Sequence, residues 1–134
     1  MKSNMLIVKH DANKAGLHYD LRVKDGSKYL SWRLVYDAKK ELSVKHSKDS
    51  IIAIRTNDHT KKDAEFIGEI PEGEYGAGTI SKYQECEIEI TKFHENTLVF
   101  VIQDGKFKDQ KWALLHYGNK KEVWSLFRVK QEGD

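Results

Sequence analysis

Three side chains of unlike chemistry alternate along one short segment, Leu17-His18-Tyr19-Asp20-Leu21-Arg22-Val23. In an extended strand successive side chains point to opposite faces, so Leu17, Tyr19, Leu21 and Val23 share one face. His18, Asp20 and Arg22 share the other, about 7 Å apart at each step. An imidazole and a carboxylate together suit a divalent transition metal such as Mn²⁺ or Zn²⁺. A guanidinium is the group that grips phosphate oxygens through a planar fork of donors. Upstream, Lys9-His10-Asp11 closes another short apolar run, and His10 would make a third ligand. Downstream, Asn57-Asp58-His59 supplies a further imidazole at the end of a strand-like run. The same trio also fits a plain alternative, a solvated strand face carrying an i,i+2 ion pair. The other histidines lack such company: His94 sits in a hairpin-like Phe93-His94-Glu95-Asn96, and His116 reads as packed or hydrogen-bonded. A single cysteine, Cys86, excludes an internal disulfide and a zinc ribbon. No Gly-x-Ser-x-Gly elbow offers a serine nucleophile.

The elements that must position these groups read as strands. Alternating runs cover 5–9, 17–24, 29–36, 51–56, 79–83, 86–92, 97–103, 111–117 and 122–129, with turn signals at Asp25-Gly26-Ser27, Asp104-Gly105 and Gly118-Asn119. Residues 37–50 hold a short helix or a loop. Eight or nine strands with short connections in 134 residues predict a mainly β, single-domain barrel over residues 5–130 with a tail at 131–134. Segment 68–78 carries Pro71 and four glycines, and reads as a structural turn rather than a ligand loop. It lacks the Lys-Ser/Thr ending of a P-loop, and its three glutamates would repel phosphate. Charge is uneven: residues 1–62 hold 14 Lys/Arg against 7 Asp/Glu, residues 63–134 hold 9 against 14. The basic half suggests a polyanionic partner. No apolar run is long enough to span a bilayer, and the first residues lack a signal-peptide pattern, so a cytoplasmic protein without membrane contact is expected.

The blocks Lys9-His10-Asp11-Ala12, Leu17-His18-Tyr19-Asp20-Leu21-Arg22, Ser31-Trp32, Asp58-His59 and Phe66-Ile67-Gly68-Glu69-Ile70-Pro71-Glu72-Gly73-Glu74-Tyr75-Gly76-Ala77-Gly78 follow one another in an informative order. They resemble the 3′-phosphoesterase domain of bacterial ATP-dependent DNA ligase D, as a stand-alone version. The tail segments around Trp112 and Trp124 resemble that family's last two strands, so the likeness covers about residues 5–130. It implies a compact β-barrel with a crescent-shaped cleft. It also implies a Mn²⁺ site formed by His10, His18 and Asp20, with Co²⁺, Zn²⁺ or Mg²⁺ as alternatives, and a phosphate site formed by Arg22 and His59. The implied activity heals DNA or RNA–DNA 3′ ends, removing a terminal ribonucleoside by phosphodiester cleavage and a 3′-phosphate by monoester cleavage. A separate ATP-dependent DNA ligase or polymerase would use the product. The alternative is a non-catalytic DNA-end or phosphate-binding accessory module.

Several positions depart from the family pattern. His10 and His18 stand two residues further apart than is usual, which predicts a bulged loop at Asn13-Lys14-Ala15-Gly16. A phosphate-side lysine expected after Ser31-Trp32 is missing, and Arg33 is the candidate to compensate. Asp63 occupies the place of a functional tyrosine and is expected to point away from the phosphate. Val8 and Asn57 replace a glutamine and a glutamate. The metal-ligand face is expected to line a wet cleft.

Overall fold

The computed structural model describes residues 1–116 and 118–133. Its strands are β1 (Lys2–Ala12), β2 (Gly16–Asp25), β3 (Lys28–Val35), β4 (Ile51–Thr60), β5 (Gly68–Ile70), β6 (Gly78–His94), β7 (Thr97–Ile102), β8 (Lys111–His116) and β9 (Val123–Arg128). A four-residue helix α1 (Lys61–Ala64) follows β4 directly, with the Thr60 hydroxyl accepting from the Asp63 backbone N–H. The sheet runs β1-β2-β3-β4-β9-β8-β7-β6, and a β1–β6 pairing closes it on itself, so eight antiparallel strands form a barrel. The short β5 pairs outside that circuit with the start of β6, Gly68 opposite Ile80 and Ile70 opposite Gly78. Tyr117 and Asp134, read from sequence as a strand end and a tail, lie outside the described residues.

The barrel interior is filled from alternate positions of every wall. Met5 and Ile7 of β1, Tyr19, Leu21 and Val23 of β2, and Trp32 and Leu34 of β3 meet Phe100, Trp112 and Leu126 from the far side. Trp32 and Trp124 pack edge to face with centroids 5.5 Å apart. The segment between β3 and β4 is mostly irregular, with one 3-10 turn at Ser47–Asp49. Buried Ala38, Leu42 and Val44 hold it to the core. Among the described residues no helix is long and apolar enough to cross a membrane.

Two runs predicted as separate strands, 79–83 and 86–92, form the single strand β6. The register against β1 shifts between Ile7, opposite Gln84, and Val8, opposite Lys82. One extra residue there reverses which parity faces the core. Cys86, Ile88 and Ile90 therefore join the interior, while Ile80 packs outside it with Leu6, Val8 and Ile70. Cys86 is 2% exposed, and burial, aided by Asp104 and Glu85, pushes its thiol up to about 11. Near neutral pH a disulfide reagent will therefore modify native Cys86 at least about a hundredfold more slowly than in denaturant, because the thiolate is the reactive form. Equal rates would show that the β6 seam opens freely.

Candidate metal and anion site

The candidate residues gather on the outer wall of the barrel, on the face of β1–β4 opposite to the core. Since Tyr19, Leu21 and Val23 point inward, alternation turns His18, Asp20 and Arg22 outward. His10 stands directly across from His18 in the β1–β2 hairpin. Arg33 is paired with Asp20, and Ser31 with Arg22, across β2–β3. His59 lies opposite Tyr29 on β4, beside a register shift. The spacing of eight between the two histidines is absorbed by ladder rather than by a bulge. Asp11 and Ala12 pair with Leu17 and Gly16, leaving a three-residue turn closed by Gly16 at φ +77°.

This outer face is not the wet surface that its polarity suggests. His10 and His18 are each 9% exposed, Asp20 7% and Arg22 3%. The cover is the segment from α1 to the start of β6. Its Ala64 carbonyl accepts from Arg22 Nη1 at 2.5 Å, and its Gly76 carbonyl accepts from His10 Nε2 at 2.7 Å. Ile70 packs on Leu6, Val8 and Ile80 beside them. The glycine-rich stretch, expected as a turn, is in part strand β5, and its Gly76 carbonyl reaches the site.

The two histidines are prepared as ligands by what holds their far nitrogens. With His10 Nε2–H donated to Gly76, Nδ1 faces Asp20 Oδ2 at 3.5 Å. With His18 Nδ1–H donated to the Gly16 carbonyl at 3.0 Å, Nε2 faces Asp20 Oδ1 at 3.2 Å. Fixing one ring nitrogen by a backbone carbonyl turns the other toward Asp20, where it donates when protonated and would offer its lone pair to an ion once that proton has left. The three ligand atoms lie within 4.8 Å of one another. Bonds of about 2.1 Å to one ion would set such atoms roughly 3–4 Å apart, so the donor set fits a divalent ion with little movement.

Electrostatics bind the group together. Burial alone would raise the Asp20 pKa, but hydrogen bonds from His10 and His18 and the charges of His18 and Arg22 outweigh it and hold the carboxyl well below its usual range. The hydrogen bond to Asp20 raises His10 against the effect of its burial. His59 moves the other way: burial first, then the Arg22 charge, lowers its pKa. Arg22 Nη2 lies 3.8 Å from Asp20, while its buried Nε has no hydrogen-bond partner among the described residues. Asp63, exposed on α1, is outside the three-ligand cluster, though its charge is felt by Arg22 and His59.

The sequence offered no sign of the carbonyls of Gly16, Ala64 and Gly76, or of the bond from the Tyr29 hydroxyl to Glu65 Oε2 at 2.9 Å. Backbone acceptors carry no residue signature. Tyr29, only 4% exposed, ties down the residue after Ala64 and so fixes the carbonyl that braces Arg22. Tyr29→Phe will cost about 1–2 kcal/mol of stability. Binding of inorganic phosphate at Arg22, which the family resemblance implies, should weaken severalfold while that of a divalent ion stays unchanged; an equal loss of both in calorimetric titrations would contradict this placement. His116 bonds to Asn96 and to the Lys120 carbonyl and stacks on Trp124, as a packed histidine should.

A family model described as the DNA ligase D 3′-phosphoesterase domain matches residues 8–126. The multifunctional non-homologous end joining DNA repair protein LigD of Mycobacterium tuberculosis H37Rv is 28% identical over 136 residues, covering 98% of this chain and 17% of that protein. The LigD of Pseudomonas aeruginosa is 28% identical over 131 residues, 92% of this chain and 15% of that protein. The chain thus spans less than a fifth of the length of these relatives.

Proposed function

The chain belongs to the DNA ligase D 3′-phosphoesterase domain family, and from that premise we propose that it is a metal-dependent esterase that heals DNA 3′ ends. It acts on DNA or RNA–DNA termini, removing a 3′-phosphate, a 3′-terminal ribonucleoside, or both. The 3′-hydroxyl left behind serves a ligase or polymerase, in the cytoplasm. One observation carries this reading: a three-ligand cluster and a buried arginine with an unspent donor share one covered face.

In this reading His10, His18 and Asp20 hold the ion, and their two imidazoles and one carboxylate suit Mn²⁺, with Co²⁺, Zn²⁺ or Mg²⁺ as alternatives. When bound, such an ion supplies Lewis-acid charge and makes water acidic enough to ionise near neutral pH. Arg22 holds the phosphoryl group. Its Nη1 is committed to the Ala64 carbonyl, which leaves Nη2 and the more deeply buried Nε to donate to phosphoryl oxygens. A donor fixed in advance in a water-poor site stabilises developing negative charge without reorganisation. His59, kept neutral by burial and by Arg22, donates one ring N–H to the same group rather than a full proton. Arg33, across from Asp20, adds a second cation on the approach side, in place of the missing lysine.

The test is release of inorganic phosphate from a 3′-phosphorylated DNA strand, and of ribonucleoside from a ribose-terminated one, after chelation and again after adding Mn²⁺. Release restored by the metal is expected. Metal-independent release would mean that His10, His18 and Asp20 do not act by holding an ion. Tight end binding without release would instead make the chain a non-catalytic end-binding module.

A further inference from the structure

A second basic surface lies away from the site, where the segment after β3 crosses the end of β9. It is a cleft of about 490 Å³ whose charged lining is Lys45, His46, Lys48, Arg128 and Lys130, with Asp49 as the one carboxylate. Lys45, Lys48, Arg128 and Lys130 set four cations against one anion. Lys45, Lys48 and Lys130 are exposed, and none takes part in an ion pair among the described residues. Uncompensated lysines around a concave surface repel one another, and an anion seated among them relieves that repulsion.

The cleft is also built before anything enters it. The Arg128 backbone N–H donates to the Lys45 carbonyl at 2.7 Å, and His46 Nδ1–H donates to the Arg128 carbonyl at 3.0 Å. These bonds fasten residues 45–46 alongside β9 in a parallel bridge. Val44, 5% exposed, anchors the same segment in the core. The lysines therefore stand on a fixed rim, and less ordering of the backbone opposes binding.

We infer that this cleft binds the phosphate backbone of duplex DNA some nucleotides inward from the 3′ terminus held at His10, His18, Asp20 and Arg22. The inference rests on the DNA-end reading above. In the sheet β2, β3, β4 and β9 are successive neighbours, which puts about 14 Å across the strands between Arg22 and Arg128; the register sets Arg22 level with Ser31 and Thr56 but Leu126 level with Ile51, so Arg128 also lies roughly 23 Å further along the wall. Together these amount to about 27 Å, a distance that a duplex rising about 3.4 Å per base pair covers in roughly eight base pairs. The carboxylate excess of residues 63–134 disfavours the remaining surface for the same partner.

The experiment measures binding rather than turnover, by fluorescence anisotropy of a labelled blunt DNA duplex of about two helical turns, across a salt series. Lys45→Ala/Lys48→Ala/Lys130→Ala should weaken binding at least about tenfold at moderate salt and flatten the slope of log K against log salt by about two to three. A control, Lys92→Ala/Lys108→Ala/Lys120→Ala, removes the same charge from exposed positions elsewhere and should change affinity less than threefold, within the effect of net charge alone. Equal losses in the two triples, or none in the first, would overturn the inference. Phosphate release from a 3′-phosphorylated dinucleotide, too short to reach the cleft, should be unchanged in the first triple. If the esterase reading fails while the anisotropy result holds, the cleft stands as a DNA-binding surface; if release holds and anisotropy does not respond, the cleft alone is wrong.

Discussion

Asp20→Asn will abolish divalent-ion binding and destabilise the protein at the same time. The carboxylate faces His10 Nδ1 at 3.5 Å, His18 Nε2 at 3.2 Å and Arg22 Nη2 at 3.8 Å. It is the sole anionic member of the three-ligand cluster. Asparagine keeps the shape and removes the charge, so ion affinity should fall at least about a hundredfold, a loss of roughly 3 kcal/mol in binding. The fold suffers separately. Arg22 is 3% exposed, and breaking a buried charge pair costs about 3–5 kcal/mol because the remaining charge stays buried. Thermal unfolding in chelator should drop by on the order of 10 °C. Asp20→Asn/Arg22→Met should recover much of that stability without recovering the ion. Normal Mn²⁺ affinity by calorimetry in Asp20→Asn would remove Asp20 from the metal site.

Gly78→Ala will be at least as damaging to the fold as Asp20→Asn. A Cβ at this position would lie 2.1 Å from the Asp11 carbonyl oxygen and 2.8 Å from the Ala12 Cα, at a φ of +145° that side chains rarely adopt. Both obstacles are backbone, so a rotamer change cannot relieve them. The seam that closes the barrel must part where Ala12 pairs with Gly78, two residues from His10. We expect a loss of more than about 4 kcal/mol and a chain that fails to reach a cooperative transition in urea. Gly73→Ala is the control: it has φ +93° but open space around the new atom, and should cost only about 1–2 kcal/mol. Similar urea midpoints for the two variants would show that β1 and β6 can separate cheaply.

The sequence made the two-residue rhythm of β2 plain, and with it the shared face of His18, Asp20 and Arg22. It could not tell that this face would be buried. Alternation distinguishes two faces but not what later chain segments lay over them, and the cover here arrives from Ala64 and Gly76, more than forty residues away. The expectation of a wet cleft failed for that reason. Strand β5 stayed hidden because three residues, Gly68-Glu69-Ile70, are too few to show a rhythm. The division of β6 into two runs came from the one-residue phase slip near Gln84, which looks in sequence like a break. Helix α1, at four residues, falls below any periodic signal. The histidine pair was legible, but not its exact opposition across the hairpin, since the turn length alone decides that register.

The β1–β6 seam also sets a timetable for assembly. His10 and His18 meet within a local hairpin, which forms on the order of microseconds once those residues are free. The far partner of β1 begins at Gly78, so on a ribosome adding about 5–20 residues per second the first strand waits seconds with one edge unpaired. During that interval the imidazoles are already side by side, while the carbonyls of Ala64 and Gly76 that steady them have yet to be made. The exposed edge of β1, with its apolar run Met5-Leu6-Ile7-Val8, is then a template for pairing with another nascent chain. Aggregation during synthesis should therefore respond to substitutions in that run, and slowing the chain between residues 12 and 78 should make it worse.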